Sequence, residues 1–142
     1  FEPAIEAISE LKKRNIPLII CSSKTRAEIQ FYRKKLENHH PFVSENGGGI
    51  FIEKGYFNET ELPLSYEKID EFLLIKLGAE YNKLRLALNK LKQKGYKIKG
   101  FGDMSIEELS KLTGLSKQEA LLAKQREFDE PFIFEDKKTE NI

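Results

Sequence analysis

Residues 17–36, PLIICSSKTRAEIQFYRKKL, join an apolar run to a helical pattern through two serines, a lysine, a threonine and an arginine. The apolar run predicts a short strand buried on both faces of a parallel sheet, and Ile29 and Leu36 recur at helical spacing. In open α/β sheets, ligands bind outside the carboxyl ends of the strands, where the next helix offers unpaired amides that suit phosphate. The junction therefore predicts an anion site at Ser22 and Lys24, although these residues can equally serve only to cap the helix.

The elements around this junction alternate in type. A helical pattern precedes the strand, and PFVSENGGGIFI after the second helix indicates a strand, a glycine-rich turn and the return strand of a hairpin. Helix, strand, helix and strand in sequence predict an α/β layer fold. No strand stands ahead of the first helix in this sequence, which a complete parallel unit would need.

The rhythm changes after about residue 60. The second half is predicted to form a strand, a helix, a strand, two short helices and a final strand, in the segments KIDEFLLIKLG, AEYNKLRLALNKLKQKG, YKIKGF, SIEELSKLTG, SKQEALLAKQR and EFDEPFIFED. Each short helix begins with a capping box, formed by a serine and a glutamate three residues later. We therefore predict two lobes, 1–62 and 63–142, with the boundary around Pro63.

Composition excludes several classes of protein. The 142 residues are 39% hydrophobic and 33% charged, which supports a packed core rather than a disordered chain. The net charge is +1, from 24 basic and 23 acidic residues, so no global field favours nucleic acid or an anionic membrane as a partner. One cysteine, no apolar run of membrane-spanning length and no signal peptide predict a cytoplasmic protein, and abundant Lys and Glu hint at a thermophile. Nothing in the sequence predicts an oligomeric state.

Three segments carry a resemblance to a known family. IICSSKTRAEI, SENGGGIFI and AKQREFDEPFIFED, in this order and spacing, resemble haloacid dehalogenase-like phosphatases along essentially the whole chain. The resemblance implies a partial three-layer, parallel-sheet core followed by an α+β cap lobe. It also implies a small phosphorylated sugar as the substrate and Mg²⁺ as the cofactor.

The resemblance assigns roles only where residues match. In such enzymes a hydroxyl at the tip of the second core strand binds a phosphoryl oxygen, residues of an ENGG-type turn form the floor under the cap, and the cap selects the substrate. The implied positions are Ser22 at the phosphate, Asn46, Gly47 and Gly48 on the floor, and Arg126, Glu127 and Asp129 from the cap. Lys24 is predicted to bind phosphate because of its charge at the junction, and not from the resemblance.

The departures from the family pattern concern the chemistry itself. The family's nucleophilic aspartate lies in a DxDGT loop, and this string is absent from the sequence, as are the later lysine and the metal-holding acidic pair. Asp103, in FGDMSIEEL, is rejected as part of that acidic pair because it stands before a capping box inside the second lobe. The chain is therefore predicted to be the middle of a phosphatase, with no metal ligands of its own and no activity alone.

Simpler interpretations remain open beside these. The NGGG run can be only a hairpin turn, and REFDEP only a charged strand next to a proline. Cys21 is predicted to be a buried packing residue, and His39 and His40 to hold no metal. At the level of function, the alternative is a non-catalytic phosphate- or sugar-binding module, or a structural fragment of another phosphatase of this kind.

Overall fold

The structure is a computed structural model that describes residues 2–62 and 65–135. These residues form five α-helices and seven β-strands. The helices are α1 (Glu2–Lys13), α2 (Arg26–Leu36), α3 (Tyr81–Gln93), α4 (Ile106–Thr113) and α5 (Lys117–Ala123). The strands are β1 (Ile20–Cys21), β2 (Phe42–Ser44), β3 (Gly49–Glu53), β4 (Glu67–Ile69), β5 (Phe72–Lys76), β6 (Ile98–Gly100) and β7 (Phe132–Phe134).

The larger sheet has five strands in the order β1-β2-β3-β5-β4. The pair β1 and β2 is parallel, with Ile20 opposite Phe42, whereas the other neighbours in this sheet are antiparallel. The predicted α/β class is confirmed, and the strand, turn and hairpin at residues 42–53 form as expected. The parallel part of the sheet is, however, a single pair among the described strands.

The prediction that β1 is buried on both faces is wrong. Ile19 is 47% exposed, and Cys21 is exposed as well. The reason is that β1 has only two residues and lies at the edge of the described sheet, so little of the chain covers it. The packing role predicted for Cys21 falls with this result.

The core of the larger sheet is aromatic. Phe42 and Phe51 are fully buried and stack with ring centroids 5.0 Å apart, and Phe72 meets Phe42 edge-on at 5.6 Å. Aromatic pairs of this kind are worth about 1 kcal/mol each beyond the area they bury. Ile29 of α2 packs here, and so does Phe128, which comes from the far end of the chain. This packing anchors the segment around Phe128 against the sheet.

The residues after β5 build a second cluster. Strands β6 and β7 pair antiparallel, and α4 packs on α5 around Leu109 and Ala120, which are fully buried. Both predicted capping boxes are confirmed, with Ser105 beginning α4 and Ser116 beginning α5. The helices therefore start where their local signals place them.

Two strand predictions in this half need correction. The segment KIDEFLLIKLG is not one strand, because Asp70 adopts φ of 46° and turns the chain between β4 and β5. The last strand covers only Phe132–Phe134, and residues 124–131 before it form no regular strand or helix.

The division into lobes 1–62 and 63–142 stays a prediction. Pro63 lies outside the described residues. Strands β4 and β5 follow the predicted boundary, yet they belong to the same sheet as β1 to β3. Among the described helices, none combines the length and the apolar character needed to cross a bilayer.

Candidate functional site

Ser22 stands directly after β1, at the carboxyl end of the parallel pair and a few residues before α2. Its backbone N–H donates to Val43 O, which continues the ladder, and its carbonyl accepts from Asn46 N at 3.1 Å. The Oγ accepts a hydrogen bond from Lys24 N at 3.2 Å. Because one lone pair of the half-buried hydroxyl is used in this way, its proton remains to be donated to an acceptor.

The role of helix cap belongs to Thr25 and not to Ser22. The Thr25 Oγ1 accepts from Glu28 N, and the Glu28 carboxylate accepts from Thr25 N at 2.9 Å, which completes a capping box. Lys24 Nζ turns along the helix to Glu28 Oε1 at 2.9 Å. The helix cap is therefore Thr25, and the Ser22 hydroxyl makes a local turn contact with Lys24 N instead. The phosphate roles of Ser22 and Lys24 stay predictions.

Glu45, in the turn between β2 and β3, connects this turn to residues 127–129. Its carboxylate accepts the backbone N–H groups of Glu127 at 2.9 Å, of Phe128 at 2.7 Å and of Asp129 at 2.8 Å. The residue is only 2% exposed. Glu45 is not among the predicted site residues, although it directly precedes Asn46 in the ENGG turn.

The three residues predicted from the cap all reach this region. Arg126 Nη1 donates to Ser23 O at 2.8 Å and lies 3.0 Å from Asp129 Oδ1. Glu127 Oε1 lies 3.2 Å from Arg26 Nη2 at the start of α2. Asp129 Oδ2 accepts from Asn46 Nδ2 at 3.3 Å. The fold therefore brings the predicted cap residues next to the Ser22 loop, and their functional roles stay predictions.

Burial and neighbouring charges together change the protonation of the acidic groups here. Burial raises the pKa of Asp129 from 3.8 to about 6; Arg126 opposes this rise, and the Glu45 charge adds to it. Burial also raises the pKa of Glu127, again against a nearby arginine, Arg26. A site of this kind favours a ligand that donates hydrogen bonds.

A polar cleft of about 430 Å³ opens beside these groups. This volume is in the range usual for small-molecule sites. Glu127 Oε2 and Arg126 Nε are buried without a hydrogen-bond partner among the described residues. Its wall includes the polar side chains of Arg26, Gln30, Asp70, Arg126 and Glu127.

The glycines of the turn make room for Phe128. A Cβ added at Gly48 would lie 2.2 Å from the Phe128 Cβ, so only glycine fits there without displacement. Gly47 has φ of +98°, which few other residues adopt. Turn geometry and close packing thus explain both glycines, and the predicted contact of Gly47 and Gly48 with substrate stays a prediction.

The remaining candidates have partners of their own. His39 Nδ1 lies 3.3 Å from Glu53 Oε2, and His40 Nδ1 lies 2.8 Å from the Tyr56 hydroxyl. Asp103 pairs with Arg85 and Lys92, away from Ser22. No group of three or more His, Cys, Asp or Glu side chains that could hold a metal ion occurs among the residues that the structure describes.

Comparison with known proteins defines the class. The family described as haloacid dehalogenase-like hydrolase matches residues 2–140. The chain belongs to this family, as the sequence resemblance predicted.

Several relatives carry more specific names. A "Glucosyl-3-phosphoglycerate/mannosyl-3-phosphoglycerate phosphatase" of Persephonella marina is 44% identical over 97% of this chain, and one of Methanococcoides burtonii is 47% identical over 96%. A "Mannosyl-3-phosphoglycerate phosphatase" of Pyrococcus horikoshii is 42% identical over 94% of the chain. The matches cover 50%, 50% and 53% of these relatives, so the chain spans about half of their length.

Proposed function

We propose that the full-length protein containing this chain is a phosphatase that hydrolyses mannosyl-3-phosphoglycerate, or its glucosyl counterpart, to the glycosylglycerate and inorganic phosphate. The net reaction adds water across the phosphoester P–O bond. The observation that carries the proposal is the convergence of Arg126 and Asp129 on the Ser22–Ser23 loop, which the Arg126 to Ser23 hydrogen bond closes across 103 residues. The names of the relatives, and the REFDEPF string that resembles the mannosyl enzyme, support this choice of substrate.

Ser22 is the residue we assign to the phosphoryl group. Its oxygen accepts from Lys24 N, and the described residues include no acceptor bonded to its hydroxyl proton, so that proton can be donated to a ligand. A hydrogen bond to a phosphoryl oxygen strengthens as negative charge develops during transfer. The chain thus supplies positioning and charge stabilisation at this point.

The sugar end of the substrate is assigned to the polar cleft. Hydroxyl groups need both donors and acceptors, and the cleft offers the donors of Arg26 and Arg126 beside the Glu127 carboxylate. Asp129, which pairs with Arg126, lies next to this wall. Glu127 Oε2 accepts no hydrogen bond from the described residues, and a substrate hydroxyl would supply the missing donor. We propose that residues 63–142 serve as the cap that brings these groups over Ser22.

Magnesium and the nucleophile are assigned to parts of the full-length protein outside the described residues. Mg²⁺ would neutralise charge on the phosphoryl group when bound. The DxDGT string is absent from this chain, so we propose that the 142 residues alone hydrolyse no phosphate ester. A cytoplasmic location is part of the proposal, because the single cysteine suits a reducing compartment.

The alternative function is a phosphate- or sugar-binding module without catalysis. The missing nucleophile string favours it for the chain as it stands. Reading the open reading frame that contains this sequence separates the two proposals. A DxDGT string upstream and a downstream acidic pair support the phosphatase, and their absence supports the module.

The decisive assay compares Ser22→Ala with Ser23→Ala in the full-length protein. Release of inorganic phosphate from mannosyl-3-phosphoglycerate is measured with Mg²⁺ and again with a chelator. We expect Ser22→Ala to lower kcat by about 100-fold with little change in KM, because the hydroxyl acts on developing charge. The exposed neighbour Ser23 provides the matched control, and its variant should stay near wild-type kcat.

Two results would contradict the proposal. The first is full activity of the Ser22→Ala variant. The second is release of phosphate by the 142-residue chain alone that a chelator abolishes and that survives repurification.

A further inference from the structure

Glu45 occupies an unusual position for a carboxylate. It is 2% exposed, and among the described residues it forms no ion pair; its oxygens instead accept three consecutive backbone N–H groups at 2.7 to 2.9 Å. These donors come from residues 82 to 84 positions further along the chain. Charge-assisted bonds of this kind are short and strongly directional, so the carboxylate fixes the backbone of residues 127–129 in one register.

The turn that presents Glu45 is held in an uncommon conformation. Glu45 has φ of 49° and Asn46 has φ of 57°, both in the left-handed region that non-glycine residues seldom adopt. Strain of this sort persists only where the surroundings enforce it, and it concentrates at functional sites. Here the two residues point at the same target, since Asn46 Nδ2 donates to Asp129 Oδ2.

The Glu45 carboxylate also has an electrostatic cost if its role is only to anchor residues 127–129. The Glu45 charge raises the pKa of both Glu127 and Asp129, so its presence opposes ionisation of its neighbours. Phe128 already anchors the segment, because it is 7% exposed and packs in the aromatic core. Holding the segment in place therefore does not need Glu45, whereas holding its exact register does.

We infer that Glu45 is a positioning residue that sets substrate selectivity by fixing Arg126 and Asp129 over the Ser22 loop. It contacts neither phosphate nor sugar. The inference rests on the proposed function for its kinetic readout, and on the hydrogen bonds of Glu45 alone for its structural readout.

Glutamine is the sharpest replacement. Glu45→Gln keeps the size of the side chain, but it leaves one acceptor oxygen and points an amide N–H₂ at backbone donors. The segment should then lose its register while Phe128 keeps it docked. Glu108→Gln is the matched control, because Glu108 also accepts a backbone N–H, from Ser105 at 2.8 Å, in the capping box of α4.

The kinetic test uses the full-length protein with two substrates, mannosyl-3-phosphoglycerate and p-nitrophenyl phosphate. We expect Glu45→Gln to raise KM for the sugar phosphate by about tenfold or more and to change kcat for the aryl phosphate by less than about threefold. The aryl ester needs Ser22 but no cap contact, so it reports on the chemistry alone. Equal losses on both substrates, or no loss on either, would overturn the inference.

The structural test uses amide hydrogen exchange in the 142-residue chain. The amides of Glu127, Phe128 and Asp129 should exchange at least about tenfold faster in Glu45→Gln, while the amides of the β3–β5 ladder keep their protection. Unchanged exchange at the three amides would also overturn the inference. If Glu45→Gln does not fold, Glu45→Asp, which keeps the charge and shortens the reach, replaces it in both tests.

The two tests separate this inference from the proposed function. A wild-type protein that fails to hydrolyse mannosyl-3-phosphoglycerate defeats the proposed function, and the exchange measurement still decides whether Glu45 fixes the segment. A wild-type protein that hydrolyses it, with a Glu45→Gln variant of unchanged KM, defeats the inference alone.

Discussion

Asp103 and Asp129 are aspartates of almost equal exposure, with 20% and 23% of their side chains accessible, yet their surroundings act in opposite directions. Arg85 and Lys92 bind the carboxylate of Asp103, and Gly100 N donates to it at 2.9 Å. The Arg85 hydrogen bond, with those of Lys92 and Gly100, holds the pKa of Asp103 well below its usual range. Burial and the Glu45 charge instead raise the pKa of Asp129 to about 6.

The difference shows that hydrogen-bond donors outweigh burial at Asp103, whereas burial outweighs the single arginine at Asp129. Asp103 receives three donors from the protein, from Arg85, Lys92 and Gly100, so most of its acceptor capacity serves the fold. Asp129 has one arginine and a long contact to an amide, and it lies beside two other acids. Asp129 can therefore accept further hydrogen bonds, which a site for substrate hydroxyls requires.

The largest expected effect comes from breaking the packing that places Asp129. Gly48 has φ of −65° and ψ of −34°, so alanine suits its backbone, but the added Cβ would overlap Phe128. We expect Gly48→Ala to lower the free energy of unfolding by about 2 to 3 kcal/mol through overpacking. Urea denaturation of the 142-residue chain measures the change.

A double-mutant cycle provides the control for this effect. Phe128→Gly removes the overlapping Cβ together with the ring, so adding Gly48→Ala to it should cost much less than Gly48→Ala costs alone. Additive losses would show that the clash with Phe128 is not the cause.

The second prediction concerns Asp103, whose carboxylate accepts from three donors of the protein. Asp103→Asn should lower the free energy of unfolding by about 1 to 2 kcal/mol at pH 7, a figure already reduced for partial exposure of the pair. Because the folded-state pKa lies below the unfolded one, the carboxylate stabilises the fold above about pH 4 and this contribution is lost as pH falls. Urea denaturation from pH 7 to pH 3 should therefore show the difference between variant and wild type shrinking, and a constant difference would contradict it.

The smallest expected effect has the opposite sign of pH dependence. The pKa of Asp129 is raised in the folded state from 3.8 to about 6, so its contribution is present below about pH 4 and is lost as pH rises through 6. Asp129→Asn cannot ionise, so its stability relative to wild type should rise by about 1 kcal/mol between pH 4 and pH 7, after allowance for solvent screening. The same titration with Asp103→Asn is the matched control, and parallel curves for the two variants would remove the contrast between the two acids.

Local signals in the sequence located most of the helices and the strand-to-helix junction. The capping boxes at Ser105 and Ser116 and the small residues after β1 act within a few positions along the chain, so their outcome depends little on the rest of the fold. The wrong predictions concern positions whose structure depends on contacts with distant residues or on a weak local signal. Cys21 is exposed because an edge strand has little cover, and the turn at Asp70 needs a left-handed residue that the apolar pattern does not reveal.

The sequence by itself determined the α/β class, the family and the list of candidate residues. Strand and helix periodicity, caps and motif strings all involve residues that are close together along the chain. Only the tertiary structure decided which of those residues meet. Glu45 was passed over because its donors lie 82 to 84 positions away, and Gly48 shows its purpose only when Phe128 packs on it. The pKa values of Asp103 and Asp129 differ for the same reason, since the field at a carboxylate falls with distance in space and takes no account of separation along the chain.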